Sequence, residues 1–227
     1  MQNLSVRLSV IASLVPESAK VCDVGTDHAF LPIALKKSGR VKSVIATDIN
    51  EKPLKKASEN IEKANVGGIS LRLCDGIEGV GQDEADCFIV AGIGGEVISG
   101  ILSRGIGNLS SKDITLILQP TTSPEFLRKF LYDNGFVIVE EIPVEENGKL
   151  YSVMKCRYSG EKQIKENYFY FSGLVNPRDP KGKKYIEKQI GRAFKCVKAL
   201  QSIPEKSAEY NYYKEIYDGL WHLTQDF

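Results

Sequence analysis

The run Asp23-Val-Gly-Thr-Asp-His-Ala-Phe-Leu-Pro32 gathers carboxylates, an imidazole and a single glycine where an apolar strand pattern gives way to a helical one. In a parallel sheet, that junction presents backbone N–H groups and a helix N-terminus to a ligand. A pyrophosphate loop needs several glycines so that the backbone can close on two phosphates. Here Gly25 is followed by Thr26 and Asp27, and the negative charge of Asp27 repels phosphate. The loop suits a ligand that carries positive charge and no phosphate. The plainer alternative is an acidic turn in which Asp27 only caps the following helix.

Further carboxylates stand at the ends of the next two strand-like runs. Asp48-Ile49 lies about twenty residues beyond the first loop, a spacing at which an acidic side chain accepts both ribose hydroxyls of a nucleoside; its plainer role is to cap the helix that starts near Glu51. Asp75-Gly76 ends the third run, where Asp75 is placed to bond an adenine amino group. Together Asp23, Asp27, Asp48 and Asp75 outline a site shaped for adenosine. The fourth run ends in Ala91-Gly92-Ile93-Gly94-Gly95-Glu96. It has neither a Pro-Pro-aromatic tetrapeptide nor a Pro-Cys nucleophile, and its glycines let backbone come close to a cofactor and a target. That arrangement fits attack by a ring nitrogen, which needs positioning more than a strong base; a turn built only for packing is the alternative. His28, beside Asp27, reads as a neutral hydrogen-bonding group that fixes the loop, with general base as the rival role. His222, in the last apolar stripe, reads as structural.

These residues need a scaffold, and the pattern around them supplies one. Val21–Val24, Ser43–Ala46, Ile69–Leu73, Cys87–Val90 and Ile114–Leu118 are short β-rich runs separated by helical periodicity around residues 29–37, 51–64, 95–104 and 123–133. Alternation of this kind predicts an α/β fold with a mostly parallel sheet covered on both faces. Phe136–Ile142 and Leu150–Cys156 are joined by a short Asn-Gly-Lys turn with no room for a crossover helix, so they must pair as an antiparallel hairpin. Five parallel strands closed by such a hairpin is the inventory of the class I, Rossmann-like methyltransferase sheet. The cofactor expected is therefore S-adenosyl-L-methionine (SAM), whose sulfonium and amino group are cationic and which carries no phosphate.

The remaining features bound the function. The chain of 227 residues has 30 basic and 29 acidic side chains, a net charge of +1, so any polyanion-binding surface must be local. Its cysteines are odd in number and widely spaced without a Cys-x-x-Cys pair, which predicts reduced core residues and no metal. No segment approaches the roughly 20 apolar residues of a bilayer span, and a cytoplasmic protein without a membrane partner is expected. After Tyr158 the composition shifts. Residues 1–158 read as the cofactor-binding domain and 159–227 as an α-helical, coiled-coil-like hairpin whose stripes are Ile186 to Leu200 and Tyr213 to Leu223, with Pro204 between. Lys181, Lys184, Lys188, Arg192 and Lys195 recur at helical spacing along it. That face is either an ordinary solvated one or a track for RNA phosphates.

Four stretches in order, Asp-Val-Gly-Thr-Asp-His-Ala-Phe-Leu-Pro (23–32), Ala-Gly-Ile-Gly-Gly (91–95), Leu-Ile-Leu-Gln-Pro (116–120) and Glu-Asn-Gly-Lys-Leu-Tyr (146–151), resemble the bacterial tRNA (adenine(22)-N1)-methyltransferase family, TrmK. The resemblance covers roughly residues 4–156 and implies methyl transfer from SAM to N1 of an adenine in tRNA. It places Asp27 as the catalytic carboxylate, nearest methyl group and adenine. It implies a cofactor site of Arg7, Asp23, Gly25, Thr26, Asp27, His28, Asp48, Ile49, Asp75, Gly76, Ala91, Gly92 and Gly94. Phe30 and Gln119-Pro120 fall to the target pocket, and the basic residues of the tail to tRNA. Phe30, Ile93 and Thr121 depart from the Tyr, Met and Asn expected at those positions. The rival expectations are a small-molecule methyltransferase, which has no need of the tail, and a non-catalytic SAM- or RNA-binding module. A monomer or weak dimer is expected.

Overall fold

The computed structural model describes residues 4–111 and 113–225. Helix α1 (Val6–Leu14) begins at Ser5, whose hydroxyl accepts the Leu8 N–H at 3.3 Å as an N-cap. Strand and helix then alternate: β1 (Lys20–Val24), α2 (Phe30–Lys37), β2 (Ser43–Asp48), α3 (Glu51–Ala64), β3 (Ile69–Leu73), β4 (Cys87–Ile93), α4 (Gly95–Arg104), the short α5 (Ile106–Leu109), β5 (Thr115–Pro120) and α6 (Pro124–Asp133). The hairpin of β6 (Phe136–Glu146) and β7 (Lys149–Tyr158) follows. Then come α7 (Asn167–Ser172), α8 (Pro180–Leu200) and α9 (Ser207–Gln225).

Among the described residues the strands form one sheet in the order β3-β2-β1-β4-β5-β7-β6. Strands β1 to β5 are parallel, and β7 runs antiparallel to both β5 and β6, as the patterning predicts. The chain winds outward from β1 to β3, then returns to start β4 on the other side of β1. Crossovers therefore diverge between β1 and β4, and a crevice opens at the carboxyl ends of those two strands.

The alternation of side chains along each strand divides the core in two. Cys22, Val24, Phe88, Val90, Leu116 and Leu118 point to one face and pack with Ile98, Leu102, Leu127 and Leu131 of α4 and α6. Val21, Cys87, Ile89 and Ile117 point to the other, against Ile11, Leu14, Leu31 and Leu35 of α1 and α2. Burial on both faces is why these strands read as near-continuous apolar runs. Cys22, Cys87 and Cys156 are buried, and all five cysteines are free thiols.

The two helices expected in the tail are α8 and α9, joined through a single 3-10 turn at Pro204–Lys206. Ala193, Ile216 and Leu220 pack together with Phe171 of α7, which the sequence reading missed. His222, read as structural, is exposed. A buried polar node ties the tail to the sheet. The Arg128 guanidinium, fully buried in α6, donates to Glu141 of β6 (2.6 Å), the Tyr185 hydroxyl of α8 (2.8 Å), and the carbonyls of Tyr170 (2.6 Å) and Phe171 (3.1 Å). Glu141 also accepts the Leu174 N–H at 3.0 Å. Burial works against the charge of Arg128, but the neighbouring Glu141 carboxylate and Tyr185 hydroxyl raise its pKa above the ordinary value. No helix among the described residues is long and apolar enough to cross a membrane.

Candidate active site

Thr47, at the end of β2, organises the crevice. Its carbonyl accepts the N–H groups of Gly25 (2.8 Å) and Thr26 (2.9 Å), which fixes the loop after β1. Its hydroxyl donates to the Gly76 carbonyl at 3.3 Å, which fixes the turn after β3. The loops after β1 and β3 are thus both held by one buried threonine at the end of β2. Gly25 has φ +74, a left-handed conformation open to glycine at little cost, and no protein atom would meet a Cβ there within 4 Å, so its exposed side is free for a ligand.

The loop's other residues are held in an unusual backbone. Asp27 (φ +48) and Ala29 (φ +56) are both left-handed, a conformation rare outside glycine and found most at functional sites. Ala29, not Asp27, occupies the cap position of α2, and no side chain caps that helix. The simple capping reading of Asp27 is therefore overturned. Its carboxylate stands 69 % exposed at the rim of the crevice, 3.4 Å from Nε2 of His28. The His28 ring stacks on Phe30 with centroids 5.2 Å apart, and its Nδ1 is buried without a hydrogen-bond partner among the described residues.

Asp23 is the opposite kind of carboxylate. It is buried at the end of β1 and accepts the Thr26 hydroxyl at 2.7 Å. Desolvation pushes its pKa up from 3.8 to about 6, against the pull of the Thr26 hydrogen bond. A cation in the crevice would relieve that penalty.

Arg7 closes the opposite wall. Its backbone N–H donates to Glu146 (3.0 Å), its Nη1 to Gln119 (2.9 Å), and its guanidinium lies 5.5 Å from the Tyr151 ring centroid. Burial raises the pKa of Glu146, but the Arg7 N–H, the Ser5 hydroxyl and the Arg7 charge together hold it below the ordinary value. The Gln119 side-chain oxygen also accepts the N–H of Gly92 (3.1 Å), and its amide nitrogen donates to the Pro120 carbonyl (2.8 Å). Gly92 has φ +83 at a register shift in β4, between Ala91, which pairs with Gln119, and Ile93, which pairs with Pro120 of β5.

The resulting pocket has a volume of about 350 Å³. It brings together Arg7, Asp23, Gly25, Thr26, Asp27, His28, Phe30, Ala91 and Gly92 of the expected site, and adds Leu8, Leu31 and Ile93. Asp48, Ile49, Asp75 and Gly76 lie at the adjoining ends of β2 and β3, outside this lining. Asp48 accepts the Asn50 N–H at 2.9 Å through one oxygen, Ile49 is largely exposed beside it, and Asp75 pairs with Arg104 at 3.0 Å. Gly94 caps α4. Gln119 is fully buried and so stands behind the pocket, where it was expected to form a wall. Pro120 faces a different cleft, together with Lys188 and Arg192.

The basic stripe is partly engaged within the chain. Lys184 pairs with Glu145 (2.9 Å), Lys188 donates to the Leu150 carbonyl (2.8 Å), and Arg192 makes a two-pronged pair with Glu125 (2.7 and 3.2 Å). Lys181 and Lys195 are exposed. Sequence reasoning gave no role to Thr47, Glu146 or Tyr151, although the last two lie within the stretch 146–151. No cluster of metal-ligating side chains is found among the described residues.

An acidic crevice of this kind, with no phosphate cradle, fits a cationic adenosyl cofactor, and known proteins of similar sequence and shape agree. The family profile described as a methyltransferase domain matches residues 4–154. The tRNA (adenine(22)-N(1))-methyltransferase of Bacillus subtilis is 36 % identical over 152 residues, which span 66 % of this chain and 63 % of the relative. The structure of the B. subtilis M1A22 tRNA methyltransferase TrmK superposes with a TM-score of 0.88 at 26 % identity, covering 99 % of this chain and all of that one (100 %). A Streptococcus pneumoniae protein provisionally described as a tRNA (m1A22) methyltransferase, solved in complex with SAM, superposes with a TM-score of 0.80 at 32 % identity, over 95 % of this chain and 100 % of that one.

Proposed function

The chain belongs to the tRNA (adenine(22)-N1)-methyltransferase family, and on that premise we propose that it transfers a methyl group from SAM to N1 of an adenine in tRNA. The observation that carries the reading is the pairing of a buried carboxylate, Asp23, with an exposed one, Asp27, around a pocket lined by glycine backbone. SAM supplies a methyl group on a sulfonium; its transfer to N1 breaks the C–S bond and leaves a neutral thioether. Asp23 and the backbone at Gly25 bind the cationic end of the cofactor. Asp48 and Asp75, at the neighbouring strand ends, hold its ribose and adenine, with Ile49 against the ring.

Asp27 stands at the rim, where a base turned out of its stack arrives. Its carboxylate accepts from the exocyclic amino group and so aims the N1 lone pair at the methyl carbon. It also faces the positive charge that the base acquires on methylation. His28, stacked on Phe30, holds Asp27 in place. No residue is asked to remove a proton before attack, because the N1 lone pair attacks directly once it is positioned. Residues 159–227 act as the RNA-binding appendage, with Lys181 and Lys195 exposed on α8.

The test is transfer of labelled methyl from SAM into purified bacterial tRNA, with nucleoside analysis of the product, by the full chain and by Asp27→Ala. The expected result is 1-methyladenosine with the wild type and a loss of about 100-fold or more in the variant, with SAM still bound. Label in a metabolite fraction and none in tRNA would point to a small-molecule enzyme. SAM binding without transfer would point to a non-catalytic module.

A further inference from the structure

A second cleft, of about 300 Å³, lies between the β5–α6 turn and α8. Its chemistry is the reverse of the first. No carboxylate lines it; the polar groups that do include Thr121, Thr122, Lys188, Gln189 and Arg192. Gln189 is 1 % exposed, and its side-chain oxygen accepts from Arg192 Nη1 at 2.7 Å. A guanidinium can only donate, so the oxygen must face Arg192, and the amide NH2 is left to donate elsewhere. The Gln189 side chain borders the cleft, so its amide donors can serve an acceptor bound there. Lys188 donates one proton to the Leu150 carbonyl and keeps others for a ligand. Glu125 holds Arg192 through two of its N–H groups.

We propose that this cleft is a phosphate subsite for the RNA backbone, taking a phosphate that flanks the target nucleotide, with Lys188, Gln189 and Arg192 as its donors. The proposal rests on the tRNA reading above and adds to it the place where the strand is gripped. Position supports it. Gln119 holds Arg7 and Gly92 of the cofactor pocket, while Pro120, the next residue, lines the second cleft. Tyr151 likewise lines the cleft and lies against Arg7 of the pocket. An acidic pocket for a cation and a donor-rich cleft for an anion thus share one wall. A nucleotide whose base enters the first presents its phosphates to the second.

The experiment uses the full chain, SAM, and a short RNA stem-loop carrying the target adenine, either unmodified or with one neutral methylphosphonate linkage beside that adenine. Lys188→Met should raise the KM for RNA about tenfold and reduce the salt dependence of RNA binding by about one phosphate contact, leaving SAM affinity within about twofold. Gln189→Leu, which keeps the side-chain volume, should act in the same direction. The neutral linkage should weaken binding by the wild type and have no further effect on Lys188→Met. RNA binding that is unchanged in both variants, or losses from variant and linkage that simply add at every position, would overturn the subsite while leaving the methyltransferase reading intact. A wild type that binds SAM and fails to methylate any tRNA would overturn both.

Discussion

The side-chain oxygen of Gln119 receives Arg7 Nη1 at 2.9 Å, joining the N-terminal helix to the end of β5 behind the cofactor pocket. The same oxygen receives Gly92 N–H, so one buried carbonyl sets both walls. Gln119→Leu leaves two donors without their acceptor, at a cost of about 1–3 kcal/mol in stability, seen as a lower midpoint in urea. SAM affinity should fall as well. Gln119→Glu, which keeps the acceptor and adds a charge partner for Arg7, should recover most of the stability.

Asp23 makes a pH dependence that can be signed. Its pKa is raised from 3.8 in the unfolded chain to about 6 in the folded one, so the protonated form is favoured by folding. Its contribution is fully present below 3.8 and is lost as pH rises through about 6, a span worth on the order of 3 kcal/mol. The difference in unfolding free energy between wild type and Asp23→Asn, measured from pH 4 to 7, isolates it. SAM affinity should run the other way, tightening as pH rises through about 6, because the cation requires the carboxylate. Calorimetric titration of Asp23→Asn should be weak and flat across the same range.

Arg128 and Glu141 are both fully buried, and removing either strands the other. Arg128→Met should cost about 3–5 kcal/mol, lowering Tm by about 10 °C. Arg128→Met combined with Glu141→Leu should recover a large part of this, as measured by thermal unfolding. If the double variant is no more stable than the single one, the node's value lies in the contacts of Arg128 to Tyr170, Phe171 and Tyr185.

Gly25→Ala separates strain from ligand contact. The added Cβ meets no protein atom within 4 Å, so the stability loss should be only the left-handed strain, about 1–2 kcal/mol. The same methyl group points to the free side of the loop. Loss of SAM affinity should therefore exceed the loss of stability, with titration and denaturation measured on the same protein.

Most of the scaffold could be read from the chain because the parallel strands are buried on both faces and their apolar runs are unbroken. The hairpin was fixed by a turn too short for anything else. Helix α7 was invisible because six residues, Asn167 to Ser172, are too few to show a period and are held by Phe171 packing on α9. The carboxylates of the first loop were legible as chemistry, since a lone glycine beside two aspartates excludes phosphate. Gln119 was misplaced because its role depends on Arg7, 112 residues away, and a polar residue at a strand end looks the same whether it faces a pocket or stands behind one. The tail's basic periodicity was real. It could not reveal that Glu145, Leu150 and Glu125 lie opposite Lys184, Lys188 and Arg192, because that depends on how α8 docks.

The Arg128 node also sets an order of events during synthesis. Arg128 and Glu141 leave the ribosome well before the carbonyls of Tyr170 and Phe171 and the hydroxyl of Tyr185 that complete their hydrogen bonds. The sheet can collapse first, but its most buried charge pair stays open on one side until α8 has emerged. A nascent chain arrested before Tyr185 would therefore hold its catalytic crevice in outline while still exposing a charged gap in its flank, a state for a chaperone to shield.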